Sequence, residues 1–169
     1  TAGGVAFLNS FSANNNNPCW SFNSSNVRVM AMTISHELGH TVGLSHDGRI
    51  EPNLETYYGG HGSGVTRWGP LMGAPFSAAV TQWSKGEYYL ADRTAQDDLD
   101  VITRTQNFGY RADTVANTPA LAGNVSDNLF GNANQSGIII SPSDKDVFRF
   151  QTAGGTVTFN GIASALPES

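Results

Sequence analysis

Apolar positions along the chain fall into short runs, one long periodic stretch and a later alternating stretch. Residues 3 to 8, Gly-Gly-Val-Ala-Phe-Leu, predict a short strand, and Trp20 and Phe22, two apart, predict a second. The polar run Ser12 to Pro18, with four consecutive asparagines, reads as the loop between them. From Val27 to Leu44 the period changes. Val27, Ala31, Ile34, Leu38 and Val42 recur at spacings of three and four, which predicts a helix with one apolar stripe. His36 and His40 fall opposite that stripe, with Glu37 nearby, so the helix is expected to pack with one face and present chemistry on the other.

Residues 47 to 80 are rich in Gly and Pro and hold no sustained period, which predicts a long irregular segment of the kind that usually has a function. A second helix is expected from Thr94 to Arg104. Thr94 with Asp97 resembles a capping box, and Ala95, Leu99 and Ile102 share a face. After Tyr110 the texture changes again. Residues 111 to 135 form a polar connection, followed by Ile138-Ile139-Ile140. The alternating segments from Asp146 to Phe150 and Thr156 to Phe159 flank Gly154-Gly155, which predicts a β-hairpin in an all-β module.

Composition narrows the function classes. With 169 residues the chain can bury a real core in one or two domains, and 39% hydrophobic with 14% charged residues is a globular balance. A net charge of −5 and no basic run argue against binding nucleic acid or an anionic membrane. No apolar stretch reaches the roughly 18 residues that a membrane span needs. Abundant Asn, Ser, Thr and Gly with little Lys suit a secreted, extracellular protein. The single Cys19 cannot form an intrachain disulfide and reads equally as a partly buried thiol or as a partner for a cysteine elsewhere. Both ends look cut, so the chain is expected to be an internal piece of a longer precursor.

The chemistry concentrates in His36-Glu37-Leu38-Gly39-His40-Thr41-Val42-Gly43-Leu44-Ser45-His46-Asp47. Histidines four apart on a helix project side by side and can share one zinc ion. Glu37 reaches the same edge and can take a proton from a zinc-activated water. A third ligand has to arrive from another direction. Gly43 tolerates the positive φ of a sharp turn, after which His46 can swing back to the metal. Two histidines and a glutamate solvated on a helix face would explain the first five residues but leave Gly43 and His46 a coincidence.

The run from His36 to His46 resembles the zinc motif of the metzincin metallopeptidases. That resemblance implies a methionine turn below the zinc site, for which Met72 in Gly69-Pro70-Leu71-Met72-Gly73 is the candidate. Asp47 after the third histidine is similar to the adamalysin/reprolysin branch, where it supports the site from behind. Astacins and serralysins carry a ligating tyrosine two residues after the methionine, where this chain has Ala74. The serralysin calcium repeats and the venom-type cysteines are absent too, so the chain looks closer to the secreted bacterial multidomain relatives. The resemblance further implies that Gly3-Gly4-Val5-Ala6 is the edge strand that pairs with substrate, and that residues 73 to 83 line the pocket beyond the scissile bond. His61, in a glycine-rich loop, is expected to be solvent-exposed or loop-packed, because a fourth ligand would close the catalytic site. Trp68 and Trp83 are expected to be packing residues.

Ser143 to Phe150 followed by Gly154-Gly155 resembles the start of bacterial pre-peptidase C-terminal domains, small β-sandwiches appended to secreted proteases. Asp144 and Asp146 there read as calcium ligands or as solvated turn carboxylates.

The expected fold class is α+β. Residues 1-110 would be the C-terminal part of a metzincin catalytic domain: a small mixed sheet on the zinc-binding helix, a Met-turn and a C-terminal helix, without its N-terminal part. Residues 111-169 would be a linker and a partial all-β sandwich module. The expected function is a secreted zinc-dependent endopeptidase acting on protein or peptide substrates, with Glu37 as general base and one catalytic Zn2+. A structural Ca2+ is a further possibility. The competing classes are a non-catalytic secreted binding protein with a structural zinc site, and a peptidase directed at glycoproteins or polymer-associated proteins by its C-terminal module.

Overall fold

The computed structural model of the chain describes residues 3–13, 17–22, 25–125, 131–141 and 143–161. It divides into two compact units, Thr1–Gly109 and Tyr110–Ser169. Three of the polar residues between the first two strands, 14 to 16, lie outside the described residues.

In the first unit, β1 (Gly4–Val5) pairs antiparallel with β2 (Trp20–Ser21), with Gly4 opposite Ser21. Helix α1 (Val27–Thr41) follows. It starts where Asn26 accepts a hydrogen bond from the Val29 N–H, which satisfies one of the donors that a helix start leaves free. Next come two antiparallel two-residue strands, β3 (Arg49–Ile50) and β4 (Leu54–Glu55). Strands β5 (Trp68–Pro70) and β6 (Val80–Gln82) run parallel, with Trp68 opposite Val80. Helix α2 (Asp98–Asp100) continues into a wider π turn over Val101–Thr105.

Several expectations need correction. Among the described residues the strands form three separate two-stranded pairs, not one mixed sheet on the helix. The first predicted strand keeps only Gly4–Val5. The long helix stops at Thr41, because Gly43 at φ 103° turns the chain before Leu44. The second helix begins at Asp98 rather than Thr94. Asp97 is its cap, accepting from the Asp100 N–H, while Gln96 is drawn into other bonds.

The orientation of α1 is the largest difference. Its apolar stripe faces outward: Val27 is 63% exposed, Leu38 47% and Ile34 43%, and within the stripe only Val42 is buried. The covered face carries Met32, Thr33, Glu37, Gly39 and Thr41. Hydrophobic period locates a stripe, but a partner decides which face is covered. The partners are the β1–β2 pair and the Met72 segment. Both close onto the side with small residues, where a Cβ on Gly39 would stand 2.5 Å from the Met72 sulfur. The core of this unit lies below the C-terminal end of α1: Val42, Leu44 and Met72, with Trp83, Val101 and Ile102 packed against them.

In the second unit, the predicted hairpin around Gly154-Gly155 does not form strands among the described residues. Both glycines have positive φ, and an isolated bridge joins Asn124 to Arg149. A lone two-stranded hairpin is marginal without a surface to bury one face, and Phe148, Phe150 and Phe159 remain exposed.

Candidate metal centre

One turn of α1 separates His36 from His40, and their imidazoles meet edge to face with centroids 4.8 Å apart. Each ring is fixed from behind. His36 Nδ1 lies 2.9 Å from the Leu71 carbonyl and His40 Nδ1 lies 2.7 Å from the Leu44 carbonyl. A carbonyl can only accept, so each Nδ1 carries a proton, and in the neutral ring the lone pair is then on Nε2. That is the tautomer a ring needs to bind a metal through Nε2.

The chain leaves α1 through a Schellman turn. The Leu44 N–H donates to the Gly39 carbonyl and the Gly43 N–H to the His40 carbonyl, both at 3.0 Å. Gly43 supplies the positive φ, and a Cβ on it would stand 2.4 Å from Asn9 Oδ1. The turn carries His46 back over the helix. His46 Nε2 comes to 3.0 Å from His40 Nε2, and one nitrogen from each of the three histidines lies within 4.8 Å of the others. A tetrahedral zinc holds its nitrogen ligands about 3.3 Å apart. The donor set and its spacing therefore fit zinc, with a fourth position left to the cleft.

Burial lowers the pKa of His36 and takes that of His46 down to about 4, with the neighbouring imidazoles adding to the effect on both. Both rings are thus held neutral, the form that binds metal. Glu37 sits on the same face, buried, and its pKa is raised by burial against the opposing pull of His40. Strand β1 crosses close over it: a Cβ on Gly4 would lie 2.6 Å from Glu37 Cγ. Residues Gly3 to Ala6, the three histidines and Glu37 line one cleft of about 730 Å³, closed on another side by Gly73 to Phe76.

The other residues singled out from sequence fall into two groups. Met72 is fully buried beneath Gly39, and its carbonyl accepts from the Asp47 N–H at 2.9 Å. Asp47 is fully buried as well, and its own carbonyl accepts from the Tyr58 N–H at 2.9 Å. Asp47 thus links the histidine loop to the methionine segment through its backbone. Its carboxylate oxygens find no hydrogen-bond partner among the described residues, and burial with nearby Asp98 and Asp92 pushes its pKa up to about 7. His61 stands apart from the histidine cluster. It is exposed, bonded to the Tyr58 hydroxyl at 3.0 Å and packed on Trp68. Trp68 donates to Gln82 Oε1, and Trp83 packs on the core.

In the second unit, Asp144 and Asp146 are joined by Asp113, with one oxygen of each within 4.8 Å of the others. Asp144 already accepts from the Ile140 N–H at 2.7 Å. Sequence reading passed over three residues that shape the first unit's site. Arg28 donates to the Ala78 and Ala79 carbonyls, Gln96 grips Ser45, and Tyr57 packs on His46. None of the three stands in a spacing pattern that could have revealed it.

Compared with protein-family models, with curated proteins and with solved structures, the chain matches none. Among the described residues, no helix is long and apolar enough to cross a membrane.

Proposed function

We propose that the chain is the active-site part of a zinc-dependent endopeptidase of the metzincin type, secreted and acting on protein or peptide substrates. The observation that carries the reading is the convergence of His36, His40 and His46 on one point, with Glu37 beside them in an open cleft. Bound there, zinc supplies Lewis acidity to a water molecule and to the peptide carbonyl.

The protein's own groups do the rest. The Leu71 and Leu44 carbonyls hold the rings of His36 and His40, so ligand geometry is set before metal arrives. Glu37 accepts the proton of the attacking water and delivers it to the leaving amine, a role favoured by its raised pKa. Strand β1 is paired on one edge, to β2, and its residues line the cleft, which suits an extended peptide laid alongside it. Met72 and Asp47 act as the floor and back of the site, and Gly43 as its turn.

The reading is tested by loading the protein with zinc, removing the metal with a chelator and restoring it, with cleavage of an unfolded protein followed throughout. Cleavage should vanish and return with the metal. A His46→Ala variant should bind zinc much more weakly and cleave nothing. Cleavage that persists in metal-free protein would defeat the proposal.

A further inference from the structure

The loop after the third histidine passes the cleft at Tyr57. The Tyr57 and His46 rings lie 4.2 Å apart between centroids, with planes inclined by 46°. Aromatic rings at this range attract beyond the burial of their area. Tyr57 is half-exposed and lines the cleft beside His36, Glu37 and His46.

Its place is fixed by its neighbour. Tyr58 is buried, with its ring stacked on Tyr88 at 4.7 Å. The Tyr58 N–H donates to the Asp47 carbonyl at 2.9 Å, and the Tyr58 carbonyl accepts from the Ala74 N–H at 3.0 Å. Position 57 is thereby held between the histidine loop and the methionine segment.

His36 and His40 each have a backbone carbonyl to orient the ring. His46 comes from the loop beyond the helix, and among the described residues its ring has no backbone carbonyl to orient it, only the polar contact of its Nε2 with His40 Nε2. Among the described residues, the ring that meets His46 from outside the histidine cluster is that of Tyr57. We infer that Tyr57 is a positioning residue, whose ring holds the His46 imidazole in its metal-binding orientation by packing. The inference rests on the zinc-site reading above. It assigns the work to the ring and none to the hydroxyl.

Cobalt(II) in place of zinc gives a visible absorption spectrum that reports ligand geometry, and transfer of zinc to a chelator gives a release rate. Tyr57→Ala should release zinc about tenfold faster and alter the cobalt spectrum, as loss of a residue supporting a metal ligand does. Tyr57→Phe should match the parent in both. Metal-free Tyr57→Ala should stay folded and melt only slightly below the parent, by the loss of one half-exposed aromatic contact. A Tyr57→Ala protein with the parental spectrum and release rate overturns the inference, whatever its melting temperature. So does Tyr57→Phe failing as badly as Tyr57→Ala. If the parent itself takes up no cobalt, the zinc-site reading fails and the inference falls with it. A parent that loads normally beside an indistinguishable Tyr57→Ala defeats the inference alone.

Discussion

Gln96 holds Ser45 by both of its backbone groups. The Ser45 N–H donates to Gln96 Oε1 and the Gln96 side-chain N–H donates to the Ser45 carbonyl, each at 3.0 Å, across 51 residues of sequence. The same Gln96 nitrogen also donates to Asp98 Oδ1 at 2.9 Å, and Asp98 Oδ2 accepts from the Ser84 N–H at 3.0 Å. A fully buried carboxylate therefore aims an amide at the residue before His46.

Gln96→Ala should leave two partly buried backbone groups without partners, a loss of about 1–3 kcal/mol. Thermal melting of the metal-free protein would show it, and zinc should be held more weakly because Ser45 adjoins a ligand. Gln96→Glu should be no better at neutral pH, since it loses the donor and sets a second carboxylate against Asp98. A Gln96→Glu protein as stable as the parent would contradict this.

Gly43 has φ 103° and no room for a Cβ beside Asn9. Gly43→Ala should lose about 1–3 kcal/mol in denaturant unfolding. Adding Asn9→Gly, which suits the φ of 58° at that position, relieves the contact but not the dihedral at Gly43, so the double variant should recover part of the loss. Full recovery would mean that crowding, and not backbone conformation, demands the glycine.

Gly39 and Met72 should be coupled. Gly39→Ala pushes a methyl into the Met72 sulfur, and overpacking of this kind loses about 1–3 kcal/mol. In a background where Met72 is already Ala, the added methyl should be far less harmful. A double-mutant cycle reads the difference, and strict additivity would place the two residues out of contact.

Asp47 sets a pH dependence with a definite sign. Its folded pKa, about 7, lies above the ordinary value of 3.8, so its stabilisation is complete below about pH 4. As pH rises toward 7 the unfolded chain loses that proton first. Stability then falls by up to ~1.4 kcal/mol per pH unit. Asp98, raised to about 6 by burial, acts in the same direction. His36 and His46, with lowered pKa values, act oppositely as pH drops below about 6.5. Comparing the metal-free parent with Asp47→Asn cancels the shared histidine contribution, and losing the Asp47 charge eases ionisation of nearby Asp98, which acts in the same direction. The variant should gain relative to the parent from pH 4 to 7 and hold that gain above 7. A stability difference that is flat with pH would contradict the assignment.

The sequence exposes this site unevenly, for physical reasons. His36, Glu37, His40, Gly43 and His46 are spaced by the geometry of one helix and one turn, so local periodicity brings them together. Gln96, Tyr57 and Arg28 act across tertiary contacts, and nothing within a few residues of them marks the contact in advance. The α1 stripe shows the same boundary. Its period was readable from Val27 to Val42, but which face is covered depended on β1–β2 and on the fit of Met72 against Gly39. The second unit shows it again, since alternation from Asp146 to Phe159 is not enough to form strands without a surface to bury them.

The most direct test is cleavage of an unfolded protein by the zinc-loaded parent and by Glu37→Ala at equal zinc content. The account predicts cleavage by the parent and a loss of at least about a hundredfold in the variant, with one zinc retained in each. Equal cleavage by both, or none by a fully loaded parent, would contradict it.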